Sequence, residues 1–494
     1  MEDSGSRKAA AGFGLLVFSI SLATFMSGLD GTIVNIALPT LSESFSLSSS
    51  TVSWVATAYL LVMAGCVLIF GKISDIVGFR KIFLLGFIIF TAGSFTCGFL
   101  PDLLNSFPSL VASRIFQAIG GAMITAIAPA MITEYIPQVQ KGKAMGIVMT
   151  MAALGTALGP TIGGVLTQYL SWHWIFFINV PVGIVALILG AKVVPHDSKR
   201  CCLAGFDKLG AALIFVGLAS LLFVVSEGFS FGWTSPGILC LAVLAVVTLS
   251  WFIVHELRFS DPLLDLGLFR NKNFLCTNLI LVLVFFSFSG INYLLPFYLE
   301  YVRGFGASDS GLIMSSLSFA MMGAGILAGL LFNRVGPKRL CIGAGVILTL
   351  GYLLMTRLST GTPIGYVILA LALIGFGLGL SISPASNMVM NSVARAKGGM
   401  VSSLTSLERF APLTLGIAVF NMVFIHGILM VATEKGVTKL APVAIKQQVL
   451  SAGFDLAFLL SLALGVVILV LALIVRQEIH PDYQNSEANE PAML

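Results

Sequence analysis

Asp30 lies inside an apolar run over 13–38, where an ionised carboxylate costs about 2.5–3.5 kcal/mol on membrane-insertion scales. A carboxyl kept there at that cost is suited to taking up and releasing a proton. The alternative is a carboxylate held permanently by a neighbouring donor. No other acidic residue falls well inside the first six apolar runs, away from their ends. Arg114 and Gln117 stand one helical turn apart in a later run, so both can face the same side. A buried guanidinium beside Asp30 would favour its ionised form, and a bound solute could alter that field. As a purely structural ion pair, Arg114 would be silent. Glu408 and Arg409 are a second charged pair in an apolar run; adjacent helical residues point about 100° apart, so the two need separate partners. A cavity-facing Glu408 would suit a cation, while pairing with another helix is the alternative. Glu134 closes its run as a solvated helix-end carboxylate.

Other chemistries are not signalled. The seven cysteines show no C-x-x-C and no ligand spacing, so neither disulfide, metal nor zinc site is expected. Cys201-Cys202 beside a membrane run could be acylated or could be ordinary loop thiols. No phosphate-binding G-x-x-x-x-G-K-[ST] occurs. Gly323-x-Gly325-x-x-Ala328 matches a dinucleotide fingerprint only formally, because it sits inside an apolar helix with no strand before it; close helix packing is its reading. No cofactor, no enzymatic activity and no nucleic-acid partner are expected, and an ATP-driven pump is disfavoured.

The elements that must position these residues follow from composition. With 494 residues, 57% hydrophobic, 10% charged and a mean hydropathy of +1.00, most of this surface needs a lipid bilayer as its solvent. A spanning helix takes about 20 apolar residues. Fourteen such runs are read, near 13–38, 51–71, 82–100, 108–133, 144–168, 173–194, 208–228, 236–256, 274–300, 309–333, 338–358, 363–391, 399–427 and 454–476. Open sheet is excluded in hydrocarbon, so the expected fold is an all-α integral membrane protein with 14 transmembrane helices. Twenty of the 27 Lys and Arg fall on one side if both termini are cytoplasmic, which sets that orientation. The net charge of +5 is then a consequence of topology.

The chain also repeats itself. Gly71, Asp75, Gly78, Arg80 and Lys81 recur in register as Gly329, Asn333, Gly336, Lys338 and Arg339. Asn35 and Pro39 recur as Asn292 and Pro296, and Gly120/Pro129 as Gly375/Pro384. A period of about 257 residues implies two similar helical bundles, the usual build of a secondary transporter. The expected domains are a tail 1–12, a six-helix bundle 13–194, a linker 195–273 with two inserted helices, a second bundle 274–476 and a tail 477–494. Glycines in the Gly71–Lys81 loop permit a tight turn, and Asp75 can pair with basic neighbours at a helix end. Gly155, Gly159, Pro160, Gly163 and Gly164 carry no reactive side chain; glycines four apart let helices approach closely, and the proline bends the helix.

These residues carry a family resemblance over nearly the whole chain. Gly71–Lys81 is similar to the loop signature of the major facilitator superfamily. Leu29-Asp30-Gly31-Thr32-Ile33-Val34-Asn35-Ile36-Ala37-Leu38-Pro39 resembles the first-helix motif of its fourteen-helix drug:proton antiporter branch, the QacA/EmrB type. Arg114–Gly121 resembles the fourth-helix motif, Gly155–Gly164 the fifth-helix antiporter motif, and Trp172–Gly183 the start of the sixth helix. Glu408-Arg409-Phe410-Ala411-Pro412 departs from the branch, which more often has a glycine-rich step after Arg. The resemblance implies Asp30 and Arg114 as the proton-coupling pair and Gly71, Asp75, Gly78, Arg80 and Lys81 as a cytoplasmic gate. It makes Gly155–Gly164 a hinge or seal, with packing alone the alternative. Gln117, Asn292, Glu408 and Arg409 are candidates for the substrate cavity. The expectation is a proton-coupled multidrug antiporter of the plasma membrane, a monomer, exporting amphipathic cationic or neutral small molecules. A metabolite uniporter or symporter and a non-transporting sensor are the rivals.

Overall fold

Backbone groups in hydrocarbon must be satisfied within their own segment, and long uniform apolar runs do this as helices. The computed structural model describes residues 2–136, 138–196, 207–259, 263–359, 361–393, 398–434 and 443–476, and their regular structure is entirely helical. In order these are α1 (Glu2–Ser44), α2 (Ser49–Val52), α3 (Trp54–Val77), α4 (Phe79–Leu104), α5 (Phe107–Tyr135), α6 (Gln138–Tyr169), α7 (Trp174–Phe177) and α8 (Asn179–Val193). They continue with α9 (Lys208–Phe231), α10 (Pro236–Glu256), α11 (Lys272–Phe297), α12 (Ala307–Val335), α13 (Pro337–Met355), α14 (Ile364–Asn391), α15 (Gly398–Glu434) and α16 (Val443–Ile474). Thirteen stretches among the described residues are long and apolar enough to cross a membrane. The expected run 144–168 falls within α6, which is helical from Gln138 to Tyr169. The expected tail 477–494 lies outside the described residues.

The chain divides into two compact units, Met1–Ala219 with Leu295–Ser318, and Ser220–Leu294 with Phe319–Leu494. In the first, α1 packs along α6, α5 lies against α3 and α4, and α8 closes on α4 and α1. In the second, α13 packs on α14 and α16, and α15 on α16. Buried hydroxyls there find partners across helices: Tyr352 donates to Ser287 Oγ at 2.7 Å and Tyr293 to Asn421 Oδ1 at 3.1 Å.

The sequence repeat is also a repeat of backbone conformation. Gly78 breaks α3 from α4 at φ +109°, and Gly336 breaks α12 from α13 at φ +85°. Each closes the preceding helix in the same way, Gly78 N–H on Ser74 O and Gly336 N–H on Phe332 O, both at 3.0 Å. A side chain is strained at such φ values, so glycine is what permits the hairpin.

Candidate functional site

Four helices of the first unit bring polar side chains to one buried point. α1 supplies Asp30, α5 supplies Arg114 and Gln117, α4 supplies Ser94, and α8 begins with Asn179. Arg114 NH1 donates to Asp30 Oδ2 at 2.9 Å and to Gln117 Oε1 at 2.6 Å, and its Nε donates to Val55 O at 3.0 Å. Asp30 Oδ1 accepts from Gln117 Nε2 and Asn179 Nδ2, each at 3.1 Å. Both amides also donate to Ser94 Oγ, at 3.1 and 3.2 Å, and Ser94 donates to Phe176 O at 3.0 Å. The Arg114 guanidinium lies over the Tyr59 ring, 4.0 Å from its centroid. Side-chain exposure is 1% for Arg114 and 0% for Asp30.

The site needs the small residue Gly93 on α4: a Cβ there would stand 2.5 Å from Gln117 Cα. That approach lets α4 carry Ser94 to the amides. The one-turn spacing of Arg114 and Gln117 puts both on one side of α5, and both donate to Asp30. The carboxylate does not face an open cavity, however, and neither does Gln117, which is itself fully buried. Three donors turn the carboxylate inward, and α5 and α8 cover it. Asn179 and Ser94 were not singled out from sequence; the available signal was a polar side chain amid apolar ones. Asn179 Oδ1 is buried and has no hydrogen-bond partner among the described residues.

A buried ion pair gives little net stability, because the desolvation of both charges offsets their attraction. Its three donors fill three of about four lone-pair sites on the carboxylate and leave one on Oδ2. A proton there would cancel the charge that Arg114 is bonded to and weaken these charge-assisted hydrogen bonds. Such a loss would loosen the hold of α5 and α8 on α1.

The remaining candidates fall elsewhere. Gly71 accepts from Ser74 Oγ at 2.6 Å near the end of α3. Arg80 binds the C-terminal end of α8, where a helix dipole favours a cation: it donates to Ala191 O at 2.6 Å, to Val194 O, and meets His196 Nδ1 at 3.3 Å. Lys81 is exposed, and the side chain of Asp75 lies outside the described residues. Glu134 is exposed, as a helix-end carboxylate would be.

The glycine stripe of α6 is filled by neighbouring backbone. A Cβ at Gly155 would reach 3.0 Å from Leu29 N, and one at Gly159 would reach 3.1 Å from Ile33 N. A Cβ at Gly163 would stand 2.8 Å from Ile33 O, while one at Gly164 would stand 3.1 Å from Ser308 Cα. Pro160 O faces Gly311, and Thr161 Oγ1 bonds Ser315 Oγ. α6 is therefore wedged between α1 and the start of α12. Asn292 and Glu408 are buried in the second unit, where Glu408 Oε2 has no hydrogen-bond partner among the described residues. Arg409 lies 5.5 Å from the Phe410 ring centroid.

A family model described as Major Facilitator Superfamily matches residues 20–200 and 208–416. The riboflavin transporter RibZ of Clostridioides difficile (strain 630) is 33% identical over 410 residues, spanning 83% of this chain and 88% of that protein. The multidrug resistance protein Stp of Mycobacterium tuberculosis (strain CDC 1551 / Oshkosh) is 32% identical over 410 residues, 83% and 75% of the two chains. Among solved structures, a D-xylose-proton symporter superposes with a TM-score of 0.65 at 15% identity, covering 95% of this chain and 98% of that one. At that identity the likeness concerns the fold.

Proposed function

The chain belongs to the major facilitator superfamily, and from that premise we propose that it is a proton-coupled antiporter exporting small amphipathic molecules, cationic or neutral. It is a multi-pass transporter of the cell membrane. Asp30 carries the coupled proton and Arg114 governs its release. The observation behind this reading is the enclosed carboxylate with one cation and two amides as its donors. Uptake of a proton there would cancel the charge that Arg114 is bonded to, loosen α1 from α5 and α8, and let the two bundles rock. In this transporter fourteen spans leave both termini cytoplasmic, with bundles at 13–194 and 274–476 and two inserted helices within 195–273. In it the Gly71–Lys81 loop is a cytoplasmic latch and the α6 glycines a seal. Asn292, Glu408 and Arg409 are its substrate-handling residues, and Gln117 holds Asp30 instead.

One relative is a multidrug resistance protein by name, which supports drug export. Another, of slightly higher identity, is a riboflavin transporter by name, which supports a metabolite carrier as the second reading. Proteoliposomes decide between them. With an acid interior and no ATP, ethidium should accumulate inside and riboflavin should not compete with it. Dependence on ATP in that purified system overturns the coupling. Accumulation of riboflavin alone favours the second reading.

A further inference from the structure

We infer that the first unit carries a second binding site, for a singly charged amphipathic organic cation, in the cavity between the end of α4 and α7. The cavity measures about 520 Å³, within the size of small-molecule sites, about 300–1,000 Å³. Phe99, Trp174 and Phe177 line it: Trp174 meets Phe177 at 5.9 Å, and Phe95 behind them meets Phe177 at 6.0 Å and stacks on Phe99 at 5.5 Å. Gly98 admits this wall, since a Cβ there would stand 2.6 Å from the Phe177 ring. At the mouth, Asp102 Oδ1 meets His173 Nε2 at 2.9 Å, with Asp102 70% exposed and His173 only 18%. The imidazole is fixed in turn by Ser171 Oγ at 3.2 Å from Nδ1 and by stacking on Trp172 at 3.6 Å. Asp102 is thus held at the rim with most of its surface free to meet a ligand.

The chemistry selects the occupant. Aromatic faces attract cations, and the carboxylate supplies the opposite charge. Among the described residues no Lys or Arg lines the cavity, so a lipid phosphate would find no Lys or Arg partner there. A neutral solute would gain nothing from Asp102. Aromatic rings at a membrane interface often serve only to anchor helix ends, but anchoring does not call for a carboxylate held among them by an imidazole. None of the lining residues belongs to the buried Asp30 network. That such a cation is export cargo held on release rests on the antiporter reading. Binding itself does not.

The test compares tetraphenylphosphonium with tetraphenylborate, ions of one shape and opposite charge. The full chain is placed in phosphatidylcholine nanodiscs, and binding is measured by equilibrium dialysis against empty discs. Tetraphenylphosphonium should show a class of sites that weakens about fivefold in Asp102→Asn and in Trp174→Ala, with Asp102→Glu retaining it. Tetraphenylborate should not occupy that class. Unchanged binding in both variants, or equal binding of the borate, overturns the proposal. Loss of the class when the disc lipid is phosphatidylethanolamine also overturns it, and assigns the cavity to a lipid headgroup. Failure of gradient-driven transport in proteoliposomes would leave this binding class in place, so the two readings fail separately.

Discussion

Replacing Asp30 by Asn keeps the shape of the side chain and removes its charge and its proton. The retained carbonyl can still accept from Gln117 and Asn179, which donate to Oδ1 at 3.1 Å. The other position becomes an N–H aimed at Arg114 NH1, which donates to Oδ2 at 2.9 Å in the native pair. Two donors then oppose each other, and a guanidinium with 1% exposure loses its counter-charge. Removing one partner of a buried pair costs about 3–5 kcal/mol, so the thermal midpoint in detergent should fall and assays should run well below it. Transport separates this loss from the loss of coupling. One proton moving down a gradient of about 2 pH units supplies about 2.7 kcal/mol, enough for about 100-fold accumulation of a neutral substrate. Asp30→Asn proteoliposomes should instead level off at a ratio near one. Exchange of labelled for unlabelled substrate needs no net proton movement and should persist in the same vesicles. Uphill accumulation by a folded Asp30→Asn protein would refute the reasoning and turn attention to Glu408.

Three further outcomes are expected. Arg114→Ala takes from Asp30 its counter-charge and one of its three donors, so uphill accumulation should fall well below the native ratio while substrate exchange persists; native accumulation counts against the pair as a coupling unit. Gly159→Val should lower stability by about 1–3 kcal/mol, because its Cβ would press on Thr32 and Ile33. Gly31→Ala, with nothing within 4 Å of its Cβ, should be neutral or stabilise by about 0.5–1 kcal/mol; thermal midpoints that rank the other way would show the α1–α6 contact to be misjudged. Gly78→Val forces a β-branched residue to φ +109°, at a cost of about 1–3 kcal/mol. Together with Asp75→Asn it should cut transport while leaving membrane orientation unchanged, and full efflux from correctly inserted Asp75→Asn protein would reduce the loop to a topological signal.

The helices, the repeat and a place for Arg114 beside Asp30 were legible in the sequence for local reasons. Long apolar runs have one backbone solution in lipid. Glycines at 78 and 336 mark left-handed turns that other residues avoid. A single mid-run carboxylate must find donors, and one helical turn between Arg114 and Gln117 puts two of them on one face. Tertiary packing decided what spacing cannot express. Asn179 reaches Asp30 because α8 closes on α1 and α4, and Ser94 reaches the amides because Gly93 lets α4 and α5 nearly touch. The carboxylate is enclosed because α5 and α8 cover it at once. The glycines of α6 could have met any helix, and only the folded chain shows them set against α1 and the start of α12. A sequence records what each helix face offers; which faces meet depends on shape complementarity between segments far apart in the chain, and that exists only after they have packed.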